Sequence, residues 1–128
     1  MNFIAINGSP HAQRGNTGLL LDKVVEGVQN AGGTVEMVYL SKIKVNPCVG
    51  CDACHKTGSC PIPDDFEELK KKLLACDGFI LASPNYIMSV SAQMKHCSTA
   101  VAASFIARPW TASMAWWWRH PAGVAMSR

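Results

Sequence analysis

Three short apolar runs, Asn2–Asn7 (NFIAIN), Thr34–Leu40 (TVEMVYL) and Gly78–Ser83 (GFILAS), alternate with segments of helical periodicity. Runs of this length, stopped by Gly, Ser and Pro, read as buried strands. Between the first two, Leu20, Leu21, Val24, Val25 and Val28 recur at helical spacing, and Gly32-Gly33 ends the pattern. Between the second and third, Phe66, Leu69, Leu73 and Cys76 form another stripe. Asp64-Asp65 offers its N-cap, with Glu68 as a capping-box partner. Ser41–Pro63 is a long irregular stretch, Pro84–Ser89 is a loop, and a further helix begins at Ser91. The order β-α-β-loop-α-β-loop-α predicts an α/β fold on a parallel sheet with right-handed crossovers.

A chain of 128 residues is one domain at most. Its hydrophobic content, 48%, excludes a disordered protein. No apolar run reaches the roughly 18–20 residues of a membrane span. No basic segment precedes the apolar start, so no signal peptide is expected and a cytoplasmic location is. A net charge of +3 gives no reason to expect a nucleic-acid partner. Six cysteines in such a chain argue against a disulfide framework. Four of them crowd together, whereas Cys76 and Cys97 stand apart, and Cys76 reads as a small core residue.

The loop after the first strand is Gly8-Ser9-Pro10-His11-Ala12-Gln13-Arg14-Gly15-Asn16-Thr17. It opens toward a helix N-terminus, where unpaired N–H groups and the helix dipole favour an anion. Ser9, Asn16 and Thr17 add short donors, Arg14 adds a charge, and Gly8 and Gly15 permit close approach. It is neither a GxGxxG nor a Walker A loop, so a mononucleotide phosphate suits it better than a dinucleotide or ATP. An ordinary polar turn with Asn16 or Thr17 as N-cap accounts for the same residues.

The loop after the third strand is Ser83-Pro84-Asn85-Tyr86-Ile87-Met88-Ser89-Val90-Ser91. In open α/β sheets ligands sit beyond the carboxyl ends of strands, where the strand order reverses. Tyr86 and Met88 offer flat or soft apolar surface there, and the amides of Asn85 to Met88 offer donors. A β-α loop with a half-buried tyrosine is the simpler alternative. Together, GSPxxxRGNT after the first strand and SPNYIMSVSAQMK after the third resemble the NADPH-dependent FMN reductase-like family of flavodoxin-like proteins. The resemblance runs from Met1 to about Lys95. It implies a flavodoxin-like doubly wound parallel sheet of order 2-1-3-4-5. It also implies FMN, with Ser9, Arg14, Asn16 and Thr17 at the phosphate and Pro84, Asn85, Tyr86, Ile87 and Met88 along the ring. NAD(P)H or a reduced carrier, such as a ferredoxin-like protein, is the implied donor, and the intact family implies a homo-oligomer.

Cys48-x2-Cys51-x2-Cys54-x5-Cys60-Pro61 is a pattern for thiolate metal binding. Three cysteines at x2 spacing can wrap one side of a cluster and the fourth can close it, and the proline echoes ferredoxin-type runs. Structural zinc usually pairs two separated Cys-x2-4-Cys elements, but zinc stays open, as do free thiols. The spacing resembles the iron–sulfur flavoprotein branch of the same family, which implies a [4Fe–4S] cluster on the loop 48–60. His55 reads as a solvent-facing loop residue.

Composition changes abruptly after Lys95. All nine acidic residues precede it, and 96–128 holds no Asp, Glu or Lys but all four tryptophans, three of them at Trp116, Trp117 and Trp118. Taking the third base of each codon with the first two of the next, His96/Cys97 must encode Leu, Trp110/Thr111 Asp and Met114/Ala115 Gly. The junctions within the three tryptophans must encode Val-Val. The shifted text permits Leu-Asp-Gly-Lys-His-Gly-Val-Val-Val-Ala, which reads as a fourth strand with its approach. Residues 1–95 are therefore expected to be the N-terminal part of the flavin domain. The anomalous tail, 96–128, is expected to be a shifted reading frame, leaving the sheet truncated after its third strand.

These readings predict an FMN-dependent NAD(P)H oxidoreductase or electron-transfer iron–sulfur flavoprotein, with no side chain required as general acid or base. The alternatives are an electron carrier without a dedicated substrate, a zinc-stabilised interaction module, and a non-functional truncated product.

Overall fold

The structure, a computed structural model, describes residues 1–106. The three tryptophans and the shifted fourth strand expected from the sequence lie outside the described residues. Strand β1 (Asn2–Asn7) leads through a 3-10 turn (Ala12–Arg14) into helix α1 (Asn16–Asn30). Strand β2 (Thr34–Tyr39) follows, then the short helix α2 (Ala53–Thr57) and helix α3 (Phe66–Ala75). Strand β3 (Gly78–Ala82), the two-residue strands β4 (Asn85–Tyr86) and β5 (Ser89–Val90), and helix α4 (Ala92–Ile106) complete the order.

The main sheet has the order β2-β1-β3, and β1 pairs in parallel with both neighbours. The chain therefore leaves β1 to one side and returns to the other, which makes the β1/β3 boundary the switch point of an α/β sheet. Ile4, Ile6, Val38 and Leu40 pack with Leu69 of α3 and with Met94 and Cys97 of α4. Helix α1 lies against all three strands and buries Leu21. Leu20 and Val24, expected on its apolar stripe, are exposed. In β3, Phe79 and Leu81 lie in register with Ile4 and Ile6, on the core face, yet both are about half exposed. Among the described residues β3 pairs only with β1, so its other edge is open.

Three local details depart from expectation. Asp65, the N-cap of α3, makes no side-chain cap bond, so its capping box with Glu68 does not form. Asp64 Oδ1 takes the first orphan donor instead, accepting from Phe66 N–H at 3.0 Å. The two aspartates also tie down the preceding segment: Lys44 N–H donates to Asp65 Oδ2 at 2.7 Å and Asn46 N–H to Asp64 Oδ2 at 2.8 Å. The irregular stretch 41–63 contains α2. The loop 84–89 is a tight hairpin, with Asn85 opposite Val90 and Tyr86 opposite Ser89.

Candidate functional site

The two loops expected to hold a ligand stand side by side at the carboxyl ends of β1 and β3. Gly8 N–H donates to the Ala82 carbonyl at 2.8 Å, which extends the sheet pairing into the loop. Ser91, fully buried, joins the loops. Its Oγ donates to the Gly8 carbonyl at 2.6 Å and accepts from Met94 N–H at 3.2 Å. Its own N–H donates to Ser83 Oγ at 2.9 Å. A Cβ on Gly8 would meet Met94 Cβ at 2.9 Å, so this glycine lets α4 close on the loop.

Asn7, also fully buried, shapes the first loop from within. Its Oδ1 accepts from Ser9 N–H at 2.8 Å and its Nδ2 donates to the Ala12 carbonyl at 3.1 Å. Ser9 is buried, and its Oγ accepts from His11 N–H at 3.2 Å. Where the 3-10 turn folds over the start of α1, a Cβ on Gly18 would stand 2.7 Å from the carbonyls of Ala12 and Gln13. Gly15, not Asn16 or Thr17, is the N-cap of α1, and no side chain caps the helix. The polar-turn account needs such a cap. Its absence leaves the Asn16 and Thr17 side chains at the helix N-terminus without capping duty.

Arg14 is exposed and lines a cavity of about 550 Å³ with Pro10, His11, Ala12, Gln13 and Lys42. Ser9, Asn16 and Thr17 are not among its lining residues. Lys42, from the turn after β2, was missed in the sequence because nothing local distinguishes it from an ordinary surface lysine. Its Nζ lies 4.8 Å from the centre of the Tyr39 ring, a cation–π contact. Asn7 and Ser91 were missed because their bonds form only once the strands pair.

On the other loop, Pro84 is half-buried, Asn85 and Tyr86 are exposed, and Ile87 and Met88 are 99% and 96% exposed at the hairpin tip. Ile87 and Met88 both have positive φ, 48° and 62°. Two positive φ values are the pattern of a type I′ turn, which favours Asn and Gly. A β-branched residue there is strained, and such strain collects at functional sites.

The cysteine segment forms a second centre. Cys48, Cys51, Cys54 and Cys60 all line one cavity of about 50 Å³, with Ile62, Phe66, Ala100 and Ala103 among its apolar walls. Cys54 is buried on α2 and donates from Sγ to the Ala103 carbonyl at 3.7 Å, against α4. Asp52 and Gly58, at the two ends of α2, both adopt left-handed φ. His55 is exposed, as expected, but on α2 rather than in a loop. Among the described residues no three Cys, His, Asp or Glu side chains converge as ligands of a single ion. In a cluster each thiolate binds its own iron, so the sulfurs stand around a volume rather than a point. Four thiols around one cavity, backed by apolar walls, fit that donor set. Away from the cavity, burial pushes the Cys76 thiol up and the Cys97 thiol up to about 11, consistent with core roles.

The sequence profile of the NADPH-dependent FMN reductase family matches residues 1–115. The chain belongs to this family. It is 43% identical over 95 residues to an iron–sulfur flavoprotein of Methanocaldococcus jannaschii, covering 74% of this chain and 49% of the relative. It is 42% identical over 95 residues to an iron–sulfur flavoprotein of Archaeoglobus fulgidus, covering 74% and 43%. The chain thus spans about half the length of the curated relatives it matches. Among solved structures, RosB with a bound riboflavin-5′-phosphate derivative superposes with a TM-score of 0.64 at 16% identity, over 80% of this chain and 42% of that one. A flavone reductase superposes with a TM-score of 0.61 at 18% identity, over 78% and 29%. These likenesses establish the flavodoxin-like fold. No helix among the described residues is long and apolar enough to cross a membrane.

Proposed function

We propose that this member of the FMN reductase family is an electron-transfer flavoprotein that holds FMN at the β1/β3 boundary and a [4Fe–4S] cluster on residues 48–60. The observation that carries the reading is the Ser91 link, which fixes an anion-suited loop and an apolar hairpin side by side at the switch point. Ser9, Arg14, Asn16 and Thr17 would hold the phosphate, with Lys42 as a further cation at the Arg14 side. Pro84 to Met88 would support the ring. Cys48, Cys51, Cys54 and Cys60 would hold the cluster. A bound FMN supplies two-electron chemistry that a cluster can relay singly, while the protein binds, orients and sets potentials. NAD(P)H or a reduced protein carrier would be the donor.

The four-thiol cavity supports a cluster over a single zinc ion, and both give distinct signals. Protein purified without oxygen should show flavin absorption, iron and labile sulfide, and a zinc-only protein would overturn the cluster. Arg14→Ala and Asn16→Ala should weaken FMN more than riboflavin, because only FMN carries the phosphate. Equal losses for both ligands would refute the phosphate assignment. Steady-state NAD(P)H oxidation separates an enzyme with this donor from a carrier without a dedicated substrate.

A further inference from the structure

Lys70 is the one charged side chain buried among the described residues, 7% exposed in the middle of α3. Lysine is rarely buried unless paired, because leaving water costs its ammonium more than an apolar neighbour returns. Its Nζ donates to the Gly58 carbonyl and lies 3.5 Å from Glu67 Oε1, one turn back on the same helix. The same Glu67 oxygen accepts from Cys60 N–H at 2.7 Å. Gly58 in turn closes α2, its N–H donating to the Cys54 carbonyl at 2.9 Å. One ion pair on a rigid helix thus grips the backbone at residues 58 and 60, on the approach to the last cysteine. Phe66 and Leu69, both buried on α3, anchor that helix. A methionine at position 70 would satisfy the packing without an ammonium to bury, so core formation does not explain the lysine.

We infer that the Lys70–Glu67 pair is a positioning device that sets Cys60 relative to Cys54 before any metal arrives. It also holds the charge beside Cys60 near neutral. The inference rests on the four cysteines being the ligands proposed above, but its first test does not need the metal. In the metal-free full chain, hydrogen exchange at the Cys60 amide should quicken about tenfold or more in two variants: Glu67→Gln removes the anionic acceptor of that amide, and Lys70→Met removes the ammonium that holds the carboxylate and the Gly58 carbonyl in place. Lys70→Arg should keep the slow rate, and circular dichroism should show all three variants folded. An unchanged Cys60 rate in both Lys70→Met and Glu67→Gln would overturn the inference.

The second test is the midpoint potential after anaerobic reconstitution with iron and sulfide. Lys70→Met leaves a carboxylate uncompensated and should lower the potential, whereas Glu67→Gln leaves an ammonium and should raise it. A tenfold change in the one-electron equilibrium is about 59 mV. Shifts in the same direction would reduce the pair to a structural prop and overturn its charge role. If the wild-type chain takes up no iron, the cluster reading fails while the amide measurement still decides the positioning role.

Discussion

Ser91 shows how much one hydroxyl can organise. It is fully buried, donates to the Gly8 carbonyl across 83 positions of sequence and accepts from Met94 N–H. Ser91→Ala would leave that buried carbonyl without its donor, a loss of about 1–3 kcal/mol. The shift should appear in the urea midpoint at unchanged slope. Because the serine touches both loops, its loss should weaken FMN and riboflavin alike, unlike the phosphate-selective loss expected at Arg14. Cys97 gives a different test. Its thiol keeps its proton up to about pH 11, whereas the unfolded thiol ionises near pH 9. Between these values the folded state binds more protons, so stability should fall as pH rises through the window and be unaffected below it. The loss is about 2–3 kcal/mol, read as the difference in urea stability between wild type and Cys97→Ala across pH 8–11. No difference in slope would mean that the thiol is not shielded. The place of Ser9 and Arg14 on a loop joining a strand to a helix was legible, because that pattern is local. The bonds of Ser91, Asn7 and Lys70 were not, because their partners are brought to them only by folding.

At the scale of elements, the strands were legible to within a residue because periodicity and turn residues act locally. The β4–β5 hairpin was not. Its central residues are Ile87 and Met88, which lack the Asn-Gly signature that announces a type I′ turn. Helix α2 was hidden for a related reason: five residues among cysteines and glycines carry no apolar period. The hairpin's strain is itself testable. Replacing Ile87-Met88 by Asn-Gly should remove left-handed strain and stabilise the fold by about 1–2 kcal/mol. Both native side chains lie almost fully in solvent, so little packing is lost. If they serve as ring support, the same double variant should bind riboflavin more weakly despite its greater stability. Unchanged flavin affinity in a stabilised variant would remove the hairpin tip from the binding site.

For the whole molecule, the change of composition after Lys95 is the feature with the largest physical consequence. The break falls inside α4, which runs from Ala92 to Ile106, rather than in a linker where domains usually divide. Met94, Cys97 and Ala100 are all buried, so an apolar helical spacing continues through the break for at least one turn. The break is therefore no domain boundary, and a shifted reading frame close to Lys95 remains our proposal for it. Reading the coding DNA in the shifted frame tests it directly, and an interrupted or unrelated open frame there would sink it. The consequence lies in the sheet. A parallel sheet needs both faces covered and its central strands paired, but β3 presents an open edge among the described residues, with Phe79 and Leu81 half exposed on the core face. The hairpin that would support the flavin ring hangs from this strand. The loop proposed to hold the phosphate, in contrast, lies between β1 and α1 and should suffer less. The chain as written should therefore bind FMN poorly, and the chain with the restored frame should bind it tightly. The gain should be larger for the ring than for the phosphate, so riboflavin affinity should rise in step with that of FMN. Titration of both chains with both ligands decides it. Equal and tight FMN affinity would show that the written tail supplies what the sheet needs, and the account of an unsupported third strand would be wrong.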